Sequence, residues 1–188
     1  MILRRLAVLS LVVFATLGAV ESAKVRNLAG ELVDPLATSP ARTATVLLFI
    51  STECPYSNRS APEIKRVMAR FEPKGVRFWL VYPNGIETPA IISAHLKGFG
   101  YPDIALRDPA HALVSIAHSQ VTPEAAVFNR NGTLAYHGRI DDRFVSLGKE
   151  RPAPTKRDLE NALAATLAGK PVDPPSTQAF GCYIGDMK

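Results

Sequence analysis

The chain has 188 residues, of which 47% are hydrophobic, and a formal net charge of +5. This length favours one domain with a substantial core over two domains. Lysines and arginines are scattered among acidic residues, and no basic run is interleaved with aromatic residues. The composition therefore argues against a nucleic-acid-binding protein and favours a mildly cationic, solvated surface.

The first 23 residues have the pattern of a secretory signal peptide. Arg4 and Arg5 precede an apolar run over 6–20, and the small residues Ser22 and Ala23 follow. The run is shorter than the roughly 20 apolar residues that span a bilayer, which favours a cleaved leader over a membrane anchor. We expect cleavage within a few residues of position 23, and a mature protein that is periplasmic or extracellular and does not span a membrane.

The rest of the chain alternates between strand and helix patterns. Strands are predicted at 44–51, 76–82, 104–106, 125–128 and 134–136, and helices at 55–71, 88–97, 109–118 and 155–167. The continuous apolar runs of the first two strands are typical of buried parallel strands. Asn131-Gly132 indicates an antiparallel hairpin between the last two strands, and Thr155 is predicted to cap the last helix.

This order predicts an α/β fold in which a central mixed sheet is flanked by helices on both faces. The domain is predicted to occupy residues 24–169. The proline-rich segment 170–188, which contains Cys182, is predicted to be an irregular, extended C-terminal tail.

Cys54 lies where a buried strand is followed by a helix. Unpaired backbone N–H groups and the helix dipole favour negative charge at such a position, so the thiol pKa is expected to fall. Pro55 fits the first turn of the helix. The alternative is a buried cysteine that serves as a small apolar residue, but the surrounding residues 51–59 are polar. Cys54 is therefore predicted to be a reactive thiolate.

The second of the two cysteines, Cys182, lies in the tail. The stretch from Gly169 to Cys182 extends to roughly 40 Å, whereas a domain of this size has a radius of gyration of about 15 Å, so reach is not limiting. Three arrangements stay open: Cys182 resolves an oxidised Cys54, the pair forms a permanent structural disulfide, or both thiols are free.

Several motifs together resemble a bacterial peroxiredoxin-like branch of the redoxins, relatives of the alkyl hydroperoxide reductase and thiol-specific antioxidant family. They are Thr-Glu-Cys-Pro-Tyr at 52–56, Val-Thr-Pro-Glu-Ala-Ala-Val-Phe at 121–128, and the segments 131–132, 136–142, 157–163, 168–172 and 181–182. The resemblance implies a thioredoxin-like fold with Pro123, after Thr122, as a cis-proline beside Cys54.

The sequence departs from two patterns of such proteins. Ser57 stands where thioredoxin-type oxidoreductases have the second cysteine of Cys-x-x-Cys, which excludes a vicinal disulfide. In the peroxiredoxin pattern Pro-x-x-x-Thr/Ser-x-x-Cys, Ser51 fills the hydroxyl position but Leu47 replaces the proline.

The sequence thus predicts an exported thiol-based redox protein, either peroxiredoxin-like or a thiol–disulfide oxidoreductase. Its substrate would be a peroxide or a protein or small-molecule disulfide, with a thiol reductant as electron donor and no cofactor. Cys54 is assigned as the attacking thiol and Cys182 as its resolving partner. The residues assigned to shape the site are Ser51, Pro55, Ser57, Thr122 and Pro123.

Two alternatives remain open at this point. One is a copper or other soft-metal protein that uses Cys54 and His118 as ligands. The other is a non-catalytic module with the same fold, in which the two cysteines form a structural disulfide.

Overall fold

The computed structural model describes residues 23–185, so the predicted leader, apart from Ala23, lies outside the described residues. The strands are β1 (Val25–Asn27), β2 (Leu32–Val33), β3 (Ala44–Phe49), β4 (Val76–Tyr82), β5 (Ala105–Arg107), β6 (Val121–Thr122), β7 (Glu124–Asn129), β8 (Leu134–Gly138), β9 (Phe144–Ser146), β10 (Lys149–Glu150) and β11 (Cys182–Tyr183). The helices are α1 (Pro55–Phe71), α2 (Pro89–Phe99), α3 (Ala112–Ala117) and α4 (Asp158–Leu167), with a 3-10 turn at 72–74.

Seven of the strands form one mixed sheet in the order β2-β1-β5-β4-β3-β7-β8. The two long apolar runs form the parallel pair β3 and β4, and β5 continues this parallel part. β7 lies antiparallel to β3 on its other side, and β8 returns antiparallel to β7 through the Asn131-Gly132 turn. The predicted mixed sheet is therefore confirmed.

β3 is apolar throughout because both faces of the sheet are covered. Val46 and Leu48 point into a cluster with α1, α2 and α4, whereas Leu47 and Phe49 point into a second cluster with α3. All four side chains are fully buried. Each contributes roughly 1.5–3 kcal/mol through removal of apolar surface from water, so β3 is held firmly and its C-terminal end is a fixed point of the structure.

The predicted cap of the last helix is wrong. α4 begins at Asp158 without a side-chain cap. Thr155 instead donates its backbone N–H and its hydroxyl to the buried carboxylate of Asp142, and Lys156 donates its backbone N–H to the same group. This carboxylate competes successfully for Thr155 because it is buried and needs donors.

The prediction of an irregular tail is also wrong in part. β11 pairs antiparallel with β6, and a further contact joins Thr177 to His137 through the backbone. Exposed backbone groups at a strand edge need partners, and the tail supplies them. A strand of two or three residues has too little periodicity to be recognised in a sequence, which also applies to β1, β2, β6, β9 and β10.

Within residues 23–185, no helix combines the length and the apolar character that crossing a membrane requires.

Asp142→Ala is expected to lower the free energy of unfolding by about 2–3 kcal/mol, because several donors to one buried carboxylate are left without a partner. Asp141→Ala is the control, since this carboxylate accepts one backbone hydrogen bond, from Arg143, and should cost about 1 kcal/mol. Urea unfolding measures both. Equal losses in the two variants would contradict the role given to Asp142.

The same comparison has an expected pH dependence. Burial raises the pKa of Asp142, but hydrogen bonds from Thr155 and Lys156 and the charge of Arg151 outweigh it and lower the pKa to about 2. The stabilisation is therefore present above pH ~4 and is lost as the pH falls toward 2. The difference between wild type and Asp142→Ala should shrink over this range.

Candidate active site

The junction of β3 and α1 fixes Cys54 at the positive end of a helix. Cys54 is the N-cap residue of α1, with extended backbone angles, and Pro55 occupies the first helical position. The backbone N–H of Asn58 donates to the Cys54 carbonyl at 3.0 Å, which starts the helical hydrogen bonding. The Cys54 side chain is only 2% exposed.

The segment Thr122–Pro123 reaches Cys54 from the neighbouring strand. β7 pairs with β3 so that Glu124 lies opposite Phe49, which places the two preceding residues beside the β3–α1 junction. The Thr122–Pro123 peptide bond is cis, as the resemblance implied. The Cys54 Sγ lies 2.9 Å from the Thr122 carbonyl oxygen, a contact in which the protonated thiol donates.

The tail brings Cys182 to the same place. In the antiparallel pairing of β11 with β6, Cys182 lies opposite Thr122 and Tyr183 opposite Val121. The two cysteine side chains are within hydrogen-bonding reach of each other, and both are free thiols in this structure. Residues that are far apart in the sequence thus form one dithiol site.

The two thiols have opposite shifts of pKa. Burial raises the pKa of Cys54, but hydrogen bonds from Cys182, Thr122 and Ser57 outweigh it, and the net pKa is lowered from 9.0. Burial raises the pKa of Cys182, and its hydrogen bond to Cys54 and the charge of Cys54 raise it further, to about 12. Of the two thiols, Cys54 therefore loses its proton at the lower pH, and Cys182 keeps its proton longer.

A cleft of about 610 Å³ opens beside the dithiol. Its lining residues are Ser51, Glu53, Cys54, Pro83, Asn84, His111, Thr122, Cys182, Tyr183, Ile184 and Gly185. Sequence reasoning missed His111, whose Nε2 lies 3.2 Å from the Pro83 carbonyl oxygen. A lone histidine without a spacing pattern gave no signal that it would line this cleft.

The histidine that the sequence suggested as a metal ligand lies elsewhere. His118 is exposed after α3, its ring centroid is 6.0 Å from that of His137, and it is not among the residues that line the cleft. Among residues 23–185, no group of three or more His, Cys, Asp and Glu side chains is arranged to hold a metal ion.

A buried carboxylate holds the loop before Cys54. Glu87 is 3% exposed, and its Oε1 accepts from the Ser51 hydroxyl at 3.0 Å and from the Thr52 backbone N–H at 2.5 Å. The Ser51 hydroxyl, which fills the peroxiredoxin hydroxyl position, therefore donates to Glu87. Ser57 is also buried, and its hydroxyl accepts from the Ser51 backbone N–H at 3.3 Å.

A second chain of hydrogen bonds holds the loop before Cys54 and connects it to β4. Asn58 donates its amide to the Thr52 carbonyl oxygen at 3.0 Å and accepts from His95 Nε2 at 2.9 Å. His95 Nδ1 in turn accepts from the Tyr82 hydroxyl at 2.9 Å. Burial lowers the pKa of His95, which suits this neutral ring. Neither Glu87 nor His95 stands in a sequence pattern that marks it as part of a site.

Solved structures show what this chain is similar to. An uncharacterized conserved protein from Geobacillus kaustophilus is 25% identical, with 89% of this chain and 90% of that chain covered and a TM-score of 0.75. A hypothetical protein from Sinorhizobium meliloti is also 25% identical, with 88% and 91% covered and a TM-score of 0.73. A thiol:disulfide interchange protein of the thioredoxin family from Chlorobium tepidum is 14% identical, with 78% and 93% covered and a TM-score of 0.56.

Comparison with protein-family models gave no match, and neither did comparison with curated proteins. The structural likeness shows that the chain has a thioredoxin-like fold, which confirms the fold that the resemblance implied. The peroxiredoxin part of the resemblance stays a prediction.

Cys182→Ala is expected to raise the pKa of Cys54, because it removes the strongest of the hydrogen bonds that lower it. The rate of iodoacetamide alkylation at Cys54, followed against pH by peptide mass mapping, measures this shift. Tyr183→Ala, a change at the 75% exposed neighbour, is the control and should leave the pKa unchanged. An unchanged midpoint in Cys182→Ala would contradict the coupling of the two thiols.

Proposed function

We propose that this chain is an exported thiol–disulfide exchange protein in which Cys54 and Cys182 alternate between the dithiol and the disulfide. The observation that carries this proposal is the pairing of β11 with β6, which places Cys182 opposite Thr122 and beside the Cys54 thiol. A cysteine held there by the backbone is a ready second thiol, although Ser57 fills the position of a vicinal one.

The exchange has two steps that balance in atoms and electrons. The Cys54 thiolate attacks one sulfur of a substrate disulfide, which forms a mixed disulfide and releases the other substrate sulfur as a thiolate that takes a proton from water. Cys182, after it loses its proton, attacks the Cys54 sulfur and releases the second substrate thiol. The substrate gains two electrons, and the protein becomes a Cys54–Cys182 disulfide. A thiol reductant then restores the dithiol.

Two observations favour a disulfide over a peroxide as the substrate. The Ser51 hydroxyl, which the peroxiredoxin pattern would use at the reacting sulfur, donates to Glu87. One solved structure of similar fold is named as a thiol:disulfide interchange protein. We therefore propose the same chemistry for this chain, with protein disulfides as substrates.

Cys54→Ser is expected to abolish reduction of a protein disulfide, such as that of insulin, because the attacking thiolate is lost. Cys182→Ala should instead accumulate the mixed disulfide, since the second step is blocked. Intact mass spectrometry distinguishes the two variants. Wild type is the control and should carry no substrate adduct, because its second step releases the substrate. Full turnover by Cys54→Ser, or no adduct in Cys182→Ala, would contradict the proposal.

Export belongs to this proposal and rests on the leader pattern of residues 1–23. Expression in a Gram-negative host is expected to give a periplasmic protein whose intact mass lacks about 23 N-terminal residues. Recovery of the full-length mass from the cytoplasm alone would contradict export and would leave the thiol chemistry untouched.

A further inference from the structure

The tail is fastened to the domain on both sides of Cys182. Before it, Thr177 and Pro175 exchange backbone hydrogen bonds with His137 at 3.2 and 3.1 Å. After it, the Ile184 backbone N–H donates to the Gln120 carbonyl oxygen at 2.9 Å. While the tail is docked, these backbone contacts hold Cys182 in place.

At Gly181 the tail lies so close to β6 that there is no room for a side chain. A Cβ atom at this position would lie 2.0 Å from the Thr122 carbonyl oxygen and 2.7 Å from the Thr122 carbonyl carbon. These are backbone atoms of β6, beside the tightly packed sheet, and they do not rotate away as a side chain would. Only glycine lets the tail lie this close to Thr122.

The docked tail closes the site. Cys54 is 2% exposed although it lines an open cleft, and the tail residues Cys182–Gly185 form part of the wall of that cleft. The backbone groups of Val121 and Thr122 that pair with β11 are the edge that an extended polypeptide beside Cys54 would need. A polypeptide substrate and the tail therefore exclude each other.

The strand in the tail also has the features of a segment that detaches at low free energy. Its strand has only two residues, Tyr183 is 75% exposed, and no disulfide ties Cys182 to the domain. Short strands with exposed side chains open at low free energy while the rest of the fold stays intact.

We propose that residues 181–184 are a resident, displaceable strand that closes the Cys54 site, and that the site selects polypeptides with glycine directly before the cysteine that Cys54 attacks. This rests on the proposed function. The incoming segment replaces the tail along β6, and its cysteine takes the place of Cys182. Any larger residue before that cysteine would place its Cβ against the Thr122 carbonyl group, as a Cβ at position 181 would.

The closing role is tested by Gly181→Ala in a Cys182→Ala background, where Cys54 is the single thiol. The added methyl group should lift the tail, and alkylation of Cys54 by iodoacetamide should rise about tenfold or more. Gly185→Ala in the same background is the matched control, because a Cβ there meets nothing within 4 Å. An unchanged rate in Gly181→Ala, with folding checked by circular dichroism, would overturn the closing role.

The selectivity is tested on the Cys182→Ala protein with Gly181 intact, so that it does not depend on the fold of the glycine variant. The probes are two peptides, Ala-Phe-Gly-Cys-Tyr-Ile and Ala-Phe-Ala-Cys-Tyr-Ile, each joined through its cysteine to thionitrobenzoate. Cys54 attacks the peptide sulfur and releases the coloured thiolate, whose absorbance gives the rate. The glycine peptide should react about tenfold faster or more.

Equal rates for the two peptides would overturn the selectivity alone. Failure of both peptides, and also of the small disulfide dithiobisnitrobenzoate, to react with Cys54 would instead overturn the proposed function. The alkylation experiment does not depend on disulfide exchange, so the two failures are distinguishable.

Discussion

The pairing of β3 with β7 is the constraint on which the site depends. Phe49 lies opposite Glu124 in this pairing, so the chain that leaves β3 toward Cys54 meets the chain that enters β7 through Thr122 and Pro123. A shift of one residue would move every side chain of β3 to the opposite face of the sheet. Because those side chains are fully buried, the register is fixed, and the distance between Cys54 and Thr122 is fixed with it.

The coupling of the two thiols fits the attacking and resolving roles that we propose for Cys54 and Cys182. Burial, the hydrogen bond to Cys54 and the charge of Cys54 raise the pKa of Cys182, whereas the pKa of Cys54 is lowered, so Cys54 loses its proton before Cys182 does. In the proposed exchange, the negative charge of Cys54 disappears when Cys54 enters a mixed disulfide. The pKa of Cys182 then falls toward its ordinary range, and Cys182 becomes nucleophilic at the stage when the second attack is needed.

Sequence patterns predicted those parts of the structure that have long periodic signals. The bounds of α1 and β4 agree with the predicted ranges because 17 and 7 residues carry an unbroken pattern, and the position of Cys54 follows from its place between β3 and α1. The remainder is set by tertiary contacts. Glu87 became a support of the site only because the fold brings it to Ser51 and Thr52. Likewise, β11 exists only because β6 offers it an edge.

In the proposed exchange, the anchoring of the tail determines how the attack by Cys182 can follow the attack by Cys54. If, as we propose, the tail and an incoming polypeptide use the same edge of β6, the mixed disulfide has to form while residues 181–184 are undocked. Cys182 follows the Thr177 anchor by only five residues, and such a short tether keeps its effective concentration near Cys54 in about the millimolar range or above. The anchor itself depends on Gly138, where a Cβ would lie 2.3 Å from the Thr177 carbonyl oxygen. Glycines thus stand at two places where the tail and the domain touch: Gly138 lets Thr177 pack against β8, and Gly181 lets the tail lie against Thr122.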